Sequence, residues 1–253
     1  MTLSPIHKVL SALSTHKVKA LLMGGQACIL YGAAEFSRDT DIAILASTEN
    51  LEALREALRT LRARRIALPP FDISYLQKGH AIHFRSYHPE SYRIRIDVMS
   101  RMRGVDPFEE LSERRVPFNL PSGETINLLS LPDLVQAKKT QRDKDWPMIR
   151  RLVEADYANV ESPSNDKVRF WLMESRTPRM LIELVEEYKQ LASELTPLRP
   201  LLKTVQFGSE SAVEDELDKE QRLERDADRK YWAPLFLELE SLRQQELDSE
   251  EEV

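Results

Sequence analysis

The chain has 253 residues, of which 42% are hydrophobic, and its formal net charge is -6. This length suffices for one large domain or two small ones with an apolar core. Its single cysteine, Cys28, excludes a disulfide framework and a cysteine-rich zinc site. No apolar run reaches the roughly 20 residues of a transmembrane helix, and lysines at positions 8, 17 and 19 interrupt the stretch where a secretory signal would be apolar. We therefore expect a cytoplasmic protein that does not bind a membrane.

The charge is unevenly distributed along the chain. Residues 1–160 carry 23 Lys and Arg against 19 Asp and Glu, a net charge of +4, whereas residues 161–253 have a net charge of -10. A mildly basic part suits ligands that carry phosphate, and the acidic part weighs against a long, sequence-independent nucleic-acid surface. We expect an α/β core over residues 1–160 and an acidic, α-helical C-terminal region over residues 161–253.

The first predicted elements lead into a glycine turn. The apolar pattern predicts an amphipathic helix over residues 4–15 and a short buried strand over residues 20–23. Gly24 and Gly25 follow, at a point where the backbone turns tightly or closely approaches a ligand. A second, short helix is predicted to begin at Gln26.

The next predicted strand carries two aspartates. In the segment from Asp39 to Leu45, β-branched residues indicate a strand, so Asp39 and Asp41 lie on one face and Thr40 lies on the other. Two residues along a strand separate the Cα atoms by roughly 6–7 Å. Two carboxylates at that distance can ligate one divalent cation, although a solvent-facing pair at a strand start explains a lone Asp-x-Asp equally simply.

A third aspartate lies in a later strand with period-two alternation. In residues 93–100, Ile94, Ile96 and Val98 are predicted to face the core, and Asp97 faces the other way. Further strands are predicted over residues 81–87, 116–120 and 125–129, and the last two are connected by a turn near Ser122. A helix is predicted from Thr48, and others over residues 107–111, 134–140, 146–157, 166–174, 179–192 and 198–205. A later helix is predicted to break at Pro234.

The glycine turn, the Asp39–Asp41 pair and the separate Asp97 together resemble the nucleotidyltransferase superfamily. The resemblance covers about the first 155 residues and is nearest to the minimal, abortive-infection toxin-like members, which carry an arginine just before the acids, here Arg38. It implies an α/β (α+β) fold with a mixed sheet and flanking helices.

The resemblance also implies roles for individual residues. Asp39, Asp41 and Asp97 would be catalytic and would hold Mg²⁺ or Mn²⁺. The residues implied to bind the nucleotide are Gly24, Gly25, Gln26, Arg38, Lys138, Lys139 and Lys144. Lys138 and Arg142 are predicted to share one helix face, and an ordinary charged helix end is the alternative explanation for this lysine-rich segment.

The implied activity is metal-dependent transfer of a nucleotidyl group from an NTP to an acceptor. RNA, protein and a small molecule all stay open as the acceptor, and the arginines between Arg55 and Arg65 favour RNA. The alternative is a catalytically inactive nucleotidyltransferase-fold module that binds a nucleotide or a partner within a toxin–antitoxin or defence system. Ala43, where many relatives carry an acid, favours this alternative, and the acidic C-terminal helices would then bind the partner protein.

Overall fold

The computed structural model describes residues 5–34, 36–120 and 123–251, with side chains described as far as residue 248. Ser122, part of a predicted turn, lies outside the described residues. Seven strands form one sheet: β1 Ala20–Met23, β2 Asp39–Ile44, β3 Arg64–Arg65, β4 Ile82–Arg85, β5 Arg95–Met99, β6 Val116–Asn119 and β7 Thr125–Leu128.

The sheet is mixed. Its strand order is β3-β4-β5-β2-β1-β7-β6. Two neighbouring pairs, β2 with β5 and β1 with β7, are parallel, and the other four are antiparallel. The expected α/β class with a mixed sheet is thereby confirmed. The sheet places β2 and β5, the two strands that carry the predicted acids, side by side.

Twelve α-helices accompany the sheet within the described ranges. They are α1 Pro5–Thr15, α2 Gly24–Leu30, α3 Thr48–Thr60, α4 Ile73–Lys78, α5 Phe108–Glu113, α6 Leu131–Ala137, α7 Asp145–Ala158, α8 Asn165–Glu174, α9 Pro178–Glu187, α10 Lys189–Leu195, α11 Leu201–Phe207 and α12 Glu210–Glu251. No helix among the described residues is both long enough and apolar enough to span a bilayer.

The strands around β2 separate apolar from polar side chains. Ile42, Ile82, Phe84, Ile96 and Val98 are all buried. The residues that alternate with them on β2, β4 and β5 are polar or charged for the most part and only partly buried. Since neighbouring side chains of a strand point to opposite faces, these strands present one apolar face to the core and one polar face outward. The predicted acids belong to the polar face.

The chain divides into two compact units, and the points of division differ from the predicted boundary between residues 160 and 161. The first unit comprises residues 1–30, 35–137 and 231–253, and the second comprises residues 31–34 and 138–230. The difference arises because the segment after Ala137 bonds to later helices. In the second unit, Lys139 Nζ lies 2.8 Å from Glu174 Oε1, and the Gln141 amide donates to Asp228 at 2.8 Å.

The last helix, α12, contributes to both units. Within the first unit, Glu238 forms an ion pair with Lys78, and its Oε2 lies 2.8 Å from Nε2 of His80, whose side chain is only 1% exposed. The Tyr231 hydroxyl lies 2.9 Å from the position that a Cβ on Gly79 would occupy. Residues 231–251 are therefore part of the unit that contains the sheet.

Pro234 lies inside α12 and does not end it, so the predicted break is wrong. A proline in a helix interior removes one backbone donor. Pro234 and Lys230, the residue four positions earlier whose carbonyl loses that donor, are both exposed. Solvent can therefore satisfy this carbonyl, and α12 runs through Pro234 as one helix of 42 residues.

A buried ionic cluster connects three parts of the second unit. Glu220 of α12 accepts hydrogen bonds from Arg176 at 2.9 Å and from Arg199 at 2.8 Å. Arg199 also donates to the carbonyls of Leu172 and Ser175. Burial alone would raise the pKa of Glu220, but the Arg199 hydrogen bond and the charges of both arginines hold that pKa below its ordinary value.

Candidate active site on the polar face of the sheet

The glycine turn lies directly against one of the predicted acids. Gly24 has a φ of +64°, and a Cβ at this residue would lie 1.8 Å from Asp41 Oδ2. A Cβ on Gly25 would lie 2.5 Å from Ser37 Oγ. Only a residue without a side chain allows both the left-handed backbone and this approach at Gly24. The turn and the acid strand, separated in sequence, are thus adjacent in the fold.

The three predicted acids share one face of two neighbouring strands. In the parallel pairing of β2 with β5, Asp41 is the Cα partner of Asp97, and Asp39 is the partner of Arg95. Partners on adjacent strands are about 4.8 Å apart and point to the same side of the sheet. The register therefore brings Asp39, Asp41 and Asp97 together on the polar face.

Asp97 already has two cationic or polar partners. Its Oδ1 accepts a hydrogen bond from Arg95 Nε at 2.7 Å and lies 2.8 Å from His83 Nδ1. Burial alone would raise the pKa of Asp97, but the bonds from His83 and Arg95 outweigh it, so the pKa lies below its ordinary value. Asp97 is therefore held as a carboxylate by its neighbours on β4 and β5.

Arg95 is bonded directly to one of these acids, Asp97. Its burial would lower the pKa of the guanidinium, but its hydrogen bond to Asp97 and the charges of Asp97, Asp39 and Asp41 raise it overall. Arg95 was not among the predicted site residues. The alternation Arg95-Ile96-Asp97 contained the signal, because it places the arginine and the aspartate on one strand face.

The three acids are chemically suited to bind a divalent cation, and the strand register places them next to one another. Carboxylate oxygens are the protein ligands that Mg²⁺ prefers, and Asp39, Asp41 and Asp97 supply them from adjacent positions. Their side chains are not arranged as a ligand set, since no three His, Cys, Asp or Glu of the described residues are grouped to hold a metal ion. Asp97 Oδ1 is bonded to Arg95 and His83 instead.

Two predicted nucleotide contacts lie in or next to the loop before β2. Gln26 is buried, and its Nε2 donates to the Ser37 carbonyl at 2.9 Å. Its side chain therefore supports the loop. Arg38 is exposed, with its guanidinium 5.8 Å from the centroid of the Phe36 ring. Phe36 is itself 71% exposed, so this loop presents an aromatic ring and a cation to solvent beside the acids.

The predicted phosphate-binding lysines belong to the second unit. Lys138 is buried, with Nζ 3.3 Å from Asp145 Oδ1, and Lys139 is buried against Glu174. Lys144 is exposed at the start of α7. The predicted helix face shared by Lys138 and Arg142 is wrong, because α6 ends at Ala137.

Asp145 organises the turn that contains these lysines. Besides Lys138, it accepts hydrogen bonds from Thr140 at 2.6 Å and from Arg142 at 2.8 Å. Burial would raise the pKa of Asp145, but the Lys138 charge, the Thr140 bond and the Arg142 charge lower it overall. The charge of Lys138 is thus neutralised within this turn.

Comparison with known proteins assigns no family. No protein-family model matches the chain, and no curated protein matches it.

Proposed function

We propose that the protein transfers a nucleotidyl group from an NTP to an acceptor hydroxyl in a divalent-metal-dependent reaction. One observation carries the proposal: Asp41 is in contact with the Gly24 turn and in register with Asp97. A tight glycine turn against paired carboxylates allows a triphosphate and its cations to approach the same few atoms. The minimal nucleotidyltransferases, which the chain resembles, combine the same two features.

Each site residue has a role in this proposal. Asp39, Asp41 and Asp97 would hold Mg²⁺ or Mn²⁺, which when bound stabilises the attacking and leaving oxygens of an in-line displacement. Gly24 and Gly25 would let a phosphate approach their backbone N–H groups, since neither residue carries a side chain, and the exposed Arg38 would offset phosphate charge.

Two measurements on one variant pair test the proposal. Titration calorimetry with each NTP and Mg²⁺ measures binding, and incubation of labelled NTP with cellular RNA or lysate shows where the label goes. We expect Asp41→Asn to abolish transfer while the protein stays folded. Asp226→Asn, at an exposed aspartate paired with Arg229 on α12, is the matched control and should retain full transfer. Transfer that persists in Asp41→Asn would refute the proposed role of the acids.

A second function is favoured by the partners of Asp97. Asp97 Oδ1 is already bonded to Arg95 and His83, as expected of a nucleotidyltransferase-fold module that binds a nucleotide or a partner protein without catalysis. Such a module would bind NTP in the calorimeter, or bind only a protein, and would label no acceptor. The same experiments therefore separate the two functions.

A further inference from the structure

A line of arginines crosses the sheet and ends at the acids. Arg64 of β3 is the Cα partner of Arg85 on β4, and Arg85 is the partner of Arg95 on β5. Arg95 is in turn the partner of Asp39 on β2. Partners across a sheet point to the same face. We call Arg64, Arg85 and Arg95 the arginine row; its three steps to Asp39 cover roughly 14 Å at about 4.8 Å a step.

The outer part of the arginine row carries uncompensated positive charge. Arg64 is exposed and Arg85 is half-buried. Among the described residues, no carboxylate lies within ion-pairing distance of either guanidinium. The arginines of α3 differ in this respect, because Arg55 and Arg59 pair with Glu52 and Glu56. Arg64 and Arg85 are therefore available to bind an anion, whereas Arg95 is bonded to Asp97 and the two arginines of α3 are paired with glutamates.

Two exposed aromatic rings lie at the outer end of the row. The Arg64 guanidinium stands 5.5 Å from the Tyr87 ring centroid, and the Tyr87 and Tyr92 rings are 6.2 Å apart. Tyr87 is 39% exposed and Tyr92 is 61% exposed. An open recess of about 570 Å³ adjoins them. Its lining residues are Arg59, Arg62, Ala63, Arg64 and Tyr87.

We infer that the arginine row and the tyrosine pair bind a single-stranded polynucleotide. Arg64 and Arg85 are adjacent in register and lack carboxylate partners among the described residues, and guanidinium groups bind the phosphates of a nucleic-acid backbone. Exposed aromatic rings beside such a groove stack on unpaired bases, whose faces a duplex does not offer. The row leads to Asp39, so it directs one end of the strand to the acids. Its identification as the acceptor rests on the proposed nucleotidyl transfer; the binding itself does not.

Fluorescence anisotropy with labelled oligonucleotides tests the arginine row. The probes are single-stranded RNA, single-stranded DNA of the same sequence, the corresponding duplex, and labelled polyglutamate as an acidic polypeptide. We expect the Arg64→Gln/Arg85→Gln variant to bind the single strands at least tenfold more weakly than the wild type. Since each phosphate contact contributes about 0.7 to the salt slope for single strands, the slope should fall by about 1.4.

The matched control removes the same charge elsewhere. Arg179 and Arg229 are exposed, and each pairs with an acid within its own helix. The Arg179→Gln/Arg229→Gln variant should bind like the wild type. Thermal unfolding of both variants confirms that they are folded. The single Arg64→Gln variant, at an exposed residue of the edge strand, supplies a second measurement if the double variant is unstable.

The tyrosine pair gives an independent readout. Replacement of Tyr92 by Leu removes an exposed ring without changing charge. We expect weaker binding of single strands with an unchanged salt slope, because stacking does not release counterions. Equal affinity for single-stranded RNA and DNA would mean that the protein contacts only phosphates and bases. Higher affinity for RNA would mean that it also contacts the 2′-hydroxyl. Both results agree with the proposal.

Three outcomes would overturn the inference. They are no binding of either single strand at low salt, equal affinity for polyglutamate or the duplex, and equal loss of binding in the control variant. Calorimetry with NTP and Mg²⁺ on the same preparations keeps the two proposals apart. Single-strand binding without NTP binding would support the proposed binding surface and contradict the proposed nucleotidyl transfer. NTP-dependent transfer without single-strand binding would support nucleotidyl transfer and contradict the binding surface.

Discussion

Gly24 is so close to Asp41 that the two residues fix each other's position. A Cβ on Gly24 would lie 1.8 Å from Asp41 Oδ2 and 2.6 Å from Asp41 Cβ, well inside any van der Waals contact. The Asp41 carboxylate therefore occupies the volume in which the side chain of any other residue at position 24 would begin.

We predict that Gly24→Ala displaces Asp41 and destabilises the protein by about 1–3 kcal/mol. Two costs combine, the left-handed backbone and the clash with the carboxylate. Gly32→Ala is the matched control, because Gly32 has a φ of +77° but a Cβ there would meet nothing within 4 Å. Urea unfolding should show the larger loss in Gly24→Ala, and only this variant should lose NTP binding. Equal effects would mean that the contact with Asp41 is unimportant.

We predict that removal of Arg95 increases the rise in Tm that Mg²⁺ produces. Arg95→Gln removes a positive charge that is bonded to Asp97 and interacts with Asp39 and Asp41, so repulsion among the three carboxylates should lower stability by about 1–2 kcal/mol. A cation that binds the folded state restores stability by mass action. The rise in Tm on addition of Mg²⁺ should therefore exceed that of the wild type. Arg85→Gln, one strand away on the same face, should show the wild-type rise. Identical shifts in Arg95→Gln and the wild type would contradict a cation site at these acids.

We predict that Glu220 stabilises the second unit in a pH-dependent way. Glu220→Gln removes the charge between Arg176 and Arg199, and loss of one partner of a buried ion pair costs about 3–5 kcal/mol at neutral pH. Because the folded pKa of Glu220 is below its ordinary value, its contribution is present above the unfolded pKa of about 4.3. It is lost as the pH falls through the folded pKa.

Urea unfolding at several pH values measures this contribution. The difference in unfolding free energy between the wild type and Glu220→Gln should be largest near pH 7 and should shrink below about pH 4. Glu183→Gln, at an exposed i,i+4 pair with Arg179, should change stability by less than about 0.5 kcal/mol at every pH. A difference for Glu220→Gln that does not depend on pH would contradict the ionic role.

We predict that truncation after Lys230 destabilises the unit that contains the sheet. It removes Glu238, the partner of the buried His80, and Tyr231, which packs at Gly79. An unpaired buried polar group costs about 1–3 kcal/mol, in addition to the lost packing. Truncation after Asp248 keeps both residues and is the control. Hydrogen exchange of the amides in β4 and β5 should accelerate in the first truncation only; unchanged protection would show that the C-terminal part of α12 is dispensable.

Local periodicity was sufficient to predict the strands that carry the acids. The alternation around Asp41 and Asp97 assigns each residue to a face of its strand, because side-chain direction on a strand depends only on position. The same alternation cannot show which strands are neighbours. The antiparallel pairing of β4 with β5, which brings His83 to Asp97, is expected for two strands that follow each other in the sequence. The parallel register of β2 with β5, which makes Asp41 the partner of Asp97, is a long-range contact that the alternation does not indicate.

The errors at Lys138 and at Pro234 have related causes. A run of lysines shows charge but not where a helix ends, so the end of α6 at Ala137, which separates Lys138 from the expected helix face, could not be seen in the pattern. Pro234 was expected to end a helix because proline lacks a donor. The Lys230 carbonyl, which loses its hydrogen-bond donor, lies on an exposed part of α12, so water can replace the missing bond. Helix propensity alone does not show whether such a carbonyl is exposed.

The arrangement of α12 has a consequence for biosynthesis. The seven strands of the sheet all lie before residue 129, yet the helix segment that completes their unit begins at Tyr231. At about 5–20 residues per second, a ribosome needs roughly 5–20 s to translate residues 138–230. During that interval the nascent sheet lacks Glu238 and Tyr231, so His80 and the end of α4 are uncovered. Final consolidation of the sheet must wait until the end of the helix has emerged from the exit tunnel.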